Sequence, residues 1–415
     1  MNTNGAKPLL AVVYDLGAVD PVRISSAARP LCDVVFVLDR GSAYVDRAAE
    51  GIAQYARTVD VTGLDGAEAA RRVAALGIAG VLTFSEYRLG LTSLIAEAAG
   101  VPFHSPDTVR GLTDKFEQRR RLTASGVQAT GCVVVRDPAG AEAAAEEVGL
   151  PAVVKPRTGA GSVDTCRAET AAEAGAAVAA FLRDGGAAEF VVEEMLVGDP
   201  TAAGAGLGDY VSVESVHCGD QIQTVCVTGK FALADPFRET GYFMPSTVPD
   251  ALAAEIVDVE RRALRALGVD HGITHTEVKL TPEGPRVIEV NGRLGGYVGE
   301  ILQRAAGIDL VRTAVRLALG EKLTVPRPRW RQVAYQYFLA PPAGVEELVS
   351  LTGVEEVNEV DGVHYLDLHT EPGSRVHWRA GTRAHLGIVY GSAPDHDRMR
   401  AALKEIDTRL RPVYR

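Results

Sequence analysis

Two alternating stretches joined by a short turn, "THTEVKL" (274–280) and "VIEVNGRLGG" (287–296), restrict this chain more than any other feature. Side chains two apart on a strand share a face. His275, Glu277 and Lys279 therefore lie together on the first segment, and Glu289, Asn291 and Arg293 on the second. The linking "TPEGP" carries Pro282 and Gly284, both turn formers. A hairpin centred on Glu283 sets Glu277 opposite Glu289 and His275 opposite Asn291. Like charges directly across an antiparallel pair are destabilising, so this face needs a cation between its carboxylates. A hard divalent ion, Mg2+ or Mn2+, suits two carboxylates and an amide oxygen, and magnesium commonly leaves coordination positions to substrate phosphates. The competing reading is a solvated face of an ordinary hairpin. Asn291 and Arg293 on the same side weigh against it, because a guanidinium can stabilise developing negative charge.

Whole-chain properties narrow the function classes. With 415 residues, 47% hydrophobic and 23% charged, the chain is long enough for about two to four globular domains. Its net charge of −11, with no block of Lys and Arg, argues against a partner recognised through a nucleic-acid backbone. Cys32, Cys132, Cys166, Cys218 and Cys226 form no C-x-x-C pair, which disfavours zinc and disulfide frameworks alike. The start "MNTNGAKPLLAVVYDLG" lacks a secretory pattern and no apolar run approaches spanning length, so a cytoplasmic protein with no membrane partner is expected.

Along the chain, "LLAVVY" (9–14), "DVVFVL" (33–38) and "GVLTF" (80–84) read as parallel strands, with helical spacing over 65–76 and 90–99. No G-x-G-x-x-G follows the first strand and no Walker A loop occurs anywhere. A helix over 114–125, the strand "GCVVV" and an Ala-rich helix near 139–148 follow. "PAVVKPRTGAGSV" then reads as a strand running into a loop with Gly159 and Gly161, which can turn backbone N–H groups toward an anion. "EFVVEEML" (189–196) is a further strand, and 199–208 is small and Gly-rich, the composition of a mobile loop. Residues 210–233 alternate around Gly219-Asp220 as a hairpin. A helix is expected near 298–319, and from 326 onward a smaller α/β or β-rich unit ends in a helix at 394–409. His364, His369 and His377 have no standard ligand spacing and read as strand-edge histidines. No Ser or Cys has the setting of an activated nucleophile.

Together, "HTEVKL…VIEVNGRLGG", "FRETGY" and the lysine-bearing "PAVVKPRTGAGSV" resemble the ATP-grasp carboxylate-amine ligases, and within them the L-amino acid ligase (dipeptide synthetase) branch. The resemblance implies an α/β (α+β grasp) fold. Its parts are an N-terminal wound α/β pre-ATP-grasp domain (1–110), a small lid subdomain (111–196), a large subdomain with the metal site (197–325) and a C-terminal extension (326–415). It also implies roles. Lys115 and Lys155 would contact ATP phosphates with Ser162 of the loop, and the backbone at Glu193 and Leu196 would recognise adenine. Glu277, Glu289 and Asn291 would hold the metal, and Arg293 would stabilise the reacting phosphoryl group. Glu86 would receive a substrate amino group, Tyr297 would size the substrate pocket, and Tyr242 stands where many branch members carry His. Tyrosine is a poor base near neutral pH, so no histidine role transfers to Tyr242.

The activity so implied joins a carboxylate to an amine, with ATP as the energy source, giving an amide or dipeptide, ADP and phosphate. The partners would be small-molecule substrates, and the resemblance implies a homodimer. Three readings stay open beside it: a ligase of the same fold for a different acid or amine, a kinase of the same fold, and a noncatalytic nucleotide-binding module.

Overall fold

The computed structural model describes residues 7–415. Its first layer is a parallel sheet of β1 (Leu9–Tyr14), β2 (Asp33–Leu38), β3 (Arg57–Asp60) and β4 (Gly80–Leu82), in the order β3-β2-β1-β4. The apolar runs are buried because helices cover both faces. The two expected helices occupy Gly66–Ala74 and Leu89–Ala99. The sequence reading missed β3 and the helices Pro21–Ala28 and Ala43–Ala53, the last two opened by the side-chain caps Asp20 and Ser42. Just past β4, Glu86 begins a single turn of 3-10 helix.

The second unit is a four-stranded antiparallel sheet of β5 (Cys132–Val135), β6 (Ala152–Pro156), β7 (Cys166–Ala168) and β8 (Phe190–Glu194), in the order β5-β8-β6-β7. Helices Pro138–Val148 and Ala171–Arg183 pack on it through Ala141, Ala145, Val178 and Phe181. The helix Lys115–Ala124 leads in, capped by Asp114, whose carboxylate accepts from the N–H groups of Phe116 and Glu117.

The third unit is an eight-stranded antiparallel sheet. It takes β9 (Leu207–Cys218), β10 (Gln221–Phe231), β11 (Gly241–Met244), β12 (His271–Thr281), β13 (Gly284–Asn291) and β14 (Val333–Phe338). After β15 (Leu348–Thr352), which pairs with β18 (Arg411–Tyr414) in a separate ribbon, it gains β16 (Val363–Leu368) and β17 (Gly387–Ala393). The order is β13-β12-β9-β10-β11-β14-β17-β16. In the region from 326, β14 pairs with β11, and β14, β17 and β16 continue the same sheet. One face of the sheet buries Val211, Val213, Val278, Val287 and Val290 against helix Asp250–Leu267. The other face packs Val216, Cys226, Tyr242, Met244 and Ile273 into a second apolar cluster and carries a set of buried polar residues among them.

Three local expectations need correction. The β12–β13 turn has two central residues, with Thr281 opposite Gly284, so it is not centred on Glu283. The pairing Glu277 with Glu289 holds nonetheless, because an irregularity after Glu277 leaves Ile288 as an extra residue on β13. The single helix expected near 298–319 is two, Val298–Ala306 and Leu310–Ala318. Gly307 ends the first with φ of 75° and the Asp309 side chain caps the second. The segment after β8 is anchored and does not hang free. Ala203 is buried in the core, its carbonyl accepts from Thr247 Oγ1 at 2.5 Å, and Asp199 N–H donates to Leu280 O at 2.6 Å.

Candidate active site

Cross-strand register lines polar residues into rows over four strands. Glu289, Glu277, Ser212 and Thr228 face one another in sequence across β13, β12, β9 and β10, and Asn291, His275 and Glu214 form the neighbouring row. Residues in direct register share a sheet face, so these strands bury a polar network between apolar layers. Its centre is Glu214, without solvent exposure, which accepts from Ser212 Oγ at 3.0 Å, Thr228 Oγ1 at 3.1 Å and His275 Nδ1 at 2.9 Å. Burial alone would lower the His275 pKa, but the Glu214 carboxylate outweighs it and raises it to about 9. The other ring nitrogen lies 3.7 Å from Glu277 Oε1. Burial would likewise raise the Glu277 carboxyl, yet His275, Lys230 and Arg293 hold it down at about 2. The unlike charges alternate, which is what allows so many ionised groups to share one buried face.

Glu289, the facing carboxylate, pairs with Lys115 Nζ at 3.1 Å. Lys115 also donates to Gly159 O at 2.8 Å, joining the large sheet to the Gly-rich loop of the second unit. Burial opposes its charge, but Glu289, Glu86 and Glu193 prevail and raise its pKa. Lys155 projects from β6 to Glu193 Oε2 at 2.7 Å, and Arg119 reaches the same oxygen at 3.2 Å. Ser162 lies in the loop at φ of 55°. Glu193 stands inside the ladder, opposite Cys132 on one side and Val153 on the other. Burial would raise its carboxyl, but Arg119 and Lys155 hold it down at about 2. Leu196 lies beyond the end of β8, where backbone groups leave the ladder.

Arg293 joins the third element. Its Nε lies 3.1 Å from Glu86 Oε2, and its terminal nitrogens donate to Asn291 Oδ1 at 3.3 Å and Leu294 O at 3.0 Å. Burial pushes the Glu86 carboxyl up to about 7, although Arg293 and Lys115 pull the other way. The Tyr242 hydroxyl donates to Glu239, whose other oxygen takes Lys230 Nζ at 2.7 Å. That ammonium also lies 3.8 Å from the centroid of the Tyr242 ring. Tyr242 and Tyr297 both meet Phe338 edge-on at 5.2 Å, and Tyr297 holds a left-handed φ of 64°.

Contacts link Glu289, Lys115, Glu277, Asn291, Arg293 and Glu86 around one sheet face, while Lys155 and Glu193 pair on the neighbouring four-stranded sheet. The sequence reading missed Glu214, Lys230, Glu239 and Arg119. The signal for the first two was available: a charged residue at an inward position of an alternating strand, as in "VSVESV" and "VTGKF", is buried only where a partner meets it. Among the described residues, no cluster of three or more His, Cys, Asp or Glu side chains is placed to hold a metal ion. His364 bonds Ser392 Oγ at 2.9 Å and His369 bonds Asp367 at 3.1 Å.

Comparison with known proteins gives two domain matches, an ATP-grasp domain over residues 148–300 and L-amino acid ligase C-terminal domain 2 over residues 336–415. The L-amino acid ligase of Bacillus licheniformis superposes over 100% of both chains with a TM-score of 0.76 at 21% identity, a likeness of fold. Alanine–anticapsin ligase of Bacillus subtilis is 26% identical over 262 residues, 60% of this chain and 55% of that protein. Human carnosine synthase 1 is 28% identical over 284 residues, 63% of this chain and 33% of that protein. The chain thus spans about a third to a half of the length of these two relatives. Among the described residues no helix is long and apolar enough to cross a membrane.

Proposed function

We propose, for a chain whose two matched domains make it an ATP-grasp protein of the L-amino acid ligase type, that it is an ADP-forming ligase joining an amino-acid carboxylate to an amine. The observation that carries this reading is the pair Glu277 and Glu289, facing each other in register, with Lys115 running from one of them to the Gly-rich loop. Two facing carboxylates and the Asn291 amide oxygen make a hard oxygen set that fits Mg2+ or Mn2+. Such an ion would supply charge neutralisation of the triphosphate. The residues of the chain do the rest.

Lys115 and Lys155 bring cations to the phosphates, and the loop at 157–163 offers backbone N–H groups. The acid substrate's carboxylate oxygen attacks the γ-phosphorus of ATP, the bond to ADP breaks, and an acyl phosphate forms. The amine then attacks the acyl carbon and phosphate leaves, with the surplus ammonium proton lost to solvent or a neighbouring base. Arg293, next to Asn291, is placed to balance the oxyanion charge of both steps. Glu86, buried and bound only on the Arg293 side, offers an acceptor to a substrate ammonium. Tyr297 and Phe338 would bound the side-chain pocket, and Glu239 with Tyr242 would lie on the acceptor side.

The test is phosphate release from Mg-ATP across a matrix of paired amino acids, with mass spectrometry on the responding pairs. A product mass equal to two amino acids less one water establishes the reading. A phosphorylated single substrate, formed without any amine, would replace it with a kinase.

A further inference from the structure

The Gly-rich loop is gripped by a strap of the C-terminal region, residues 377–384. The loop needs holding: Gly159, Gly161, Ser162 and Asp164 have φ of 120°, 74°, 55° and 48°, so two residues with side chains sit in the left-handed region. The strap meets it with backbone bonds in both directions. Thr382 N–H donates to Gly161 O at 2.9 Å, and Asp164 N–H donates to Arg379 O at 3.1 Å. The Arg379 side chain reinforces them, its Nε 2.7 Å from Asp164 Oδ1 and a terminal nitrogen on Asp184. Its guanidinium lies 4.9 Å from the centroid of the Phe181 ring, and Trp378 packs against the core of the lid subdomain. Gly381, at φ of 65°, has no room for a Cβ, which would overlap the Gly161 carbonyl oxygen. A solvated ion pair would contribute little. Arg379 is only 17% exposed and bridges two aspartates.

We infer that the C-terminal extension completes the nucleotide site: Arg379 and Gly381 are positioning residues that hold the phosphate loop in its binding shape and slow nucleotide release. The inference rests on the reading of 157–163 as the phosphate loop. Lys115 holds Gly159 while the strap holds Gly161 and Asp164, so the loop cannot move away without breaking the strap contacts. The strap also reaches the acceptor side, where Glu239 N–H donates to Thr382 Oγ1 at 3.4 Å.

The test is calorimetric titration of the full chain with MgADP, beside steady-state KM for ATP and for the amino acids. Arg379→Met, which keeps the aliphatic stem over Phe181, is expected to weaken ADP about tenfold or more and to raise KM for ATP alone, while Arg379→Lys recovers part of the loss. Equal ADP affinity in wild type and Arg379→Met overturns the inference and leaves the loop assignment standing. No ADP binding by the wild type overturns the loop assignment and the strap with it. If Arg379→Met lowers the melting midpoint sharply, Asp184→Asn, which touches the guanidinium from outside the loop, takes its place: weaker ADP binding supports the strap, and unchanged binding overturns it.

Discussion

Lys230 Nζ, with no solvent exposure, lies 2.7 Å from Glu239 Oε1. Removing one partner of a buried pair leaves the other charge uncompensated. Lys230→Met should therefore destabilise the protein by about 3 kcal/mol, part of the larger possible cost being relieved because Glu239 keeps some solvent contact. Urea unfolding measures this. A loss below about 1 kcal/mol, the range of exposed pairs, would contradict the buried role.

Glu289→Ala removes one of the two facing carboxylates and the partner of Lys115. The variant should fold with wild-type circular dichroism and lose metal-dependent ATP turnover by a factor of about 100 or more. Retained turnover would refute the site assignment.

Glu260, on the helix Asp250–Leu267, faces the underside of the sheet fully buried. Burial raises its carboxyl to about 7, the Ser215 hydroxyl beside it offsetting part of the effect. Its folded pKa is above the unfolded value, so the folded state holds the proton more tightly. The stability this gives is present below the unfolded pKa and is lost as pH rises from about 4.5 to about 7. The loss amounts to about 3 kcal/mol. Glu260→Gln should flatten that part of the stability profile, as followed by denaturant midpoints between those limits. An unchanged slope would refute the assignment.

Glu86→Gln keeps the shape of the side chain and removes its charge from beside Arg293. KM for the amino-bearing acid should rise about tenfold or more, with the affinity for MgADP unchanged. A rise in nucleotide Kd instead would move Glu86 from the substrate to the phosphates.

Much of the candidate site is legible locally. Period-two alternation on β12 and β13, together with a short turn, is enough to bring Glu277 and Glu289 face to face, even though the bulge at Ile288 shifts the register nearer the turn. The lysine of "PAVVKP" and the glycines after it sit in one strand-loop unit for the same reason: neighbours in sequence are neighbours in space. The helix break at Gly307 also has a local signal, a Gly followed by an Asp cap, which the apolar spacing across 298–319 masks.

Local signals alone therefore fix many of the strands, the faces of the β12 and β13 side chains and the acidic pair, because backbone geometry and side-chain alternation are local properties. Which distant elements meet that face depends on how the units pack. Glu86 reaches Arg293 because the parallel layer docks beside β13, Lys230 is neutralised because the "FRETGY" segment folds back over β10, and Arg379 finds Asp164 because three C-terminal strands extend the large sheet. Such contacts join segments far apart in the chain. Their energy comes from burying complementary charge between packed units, a property that no single segment carries.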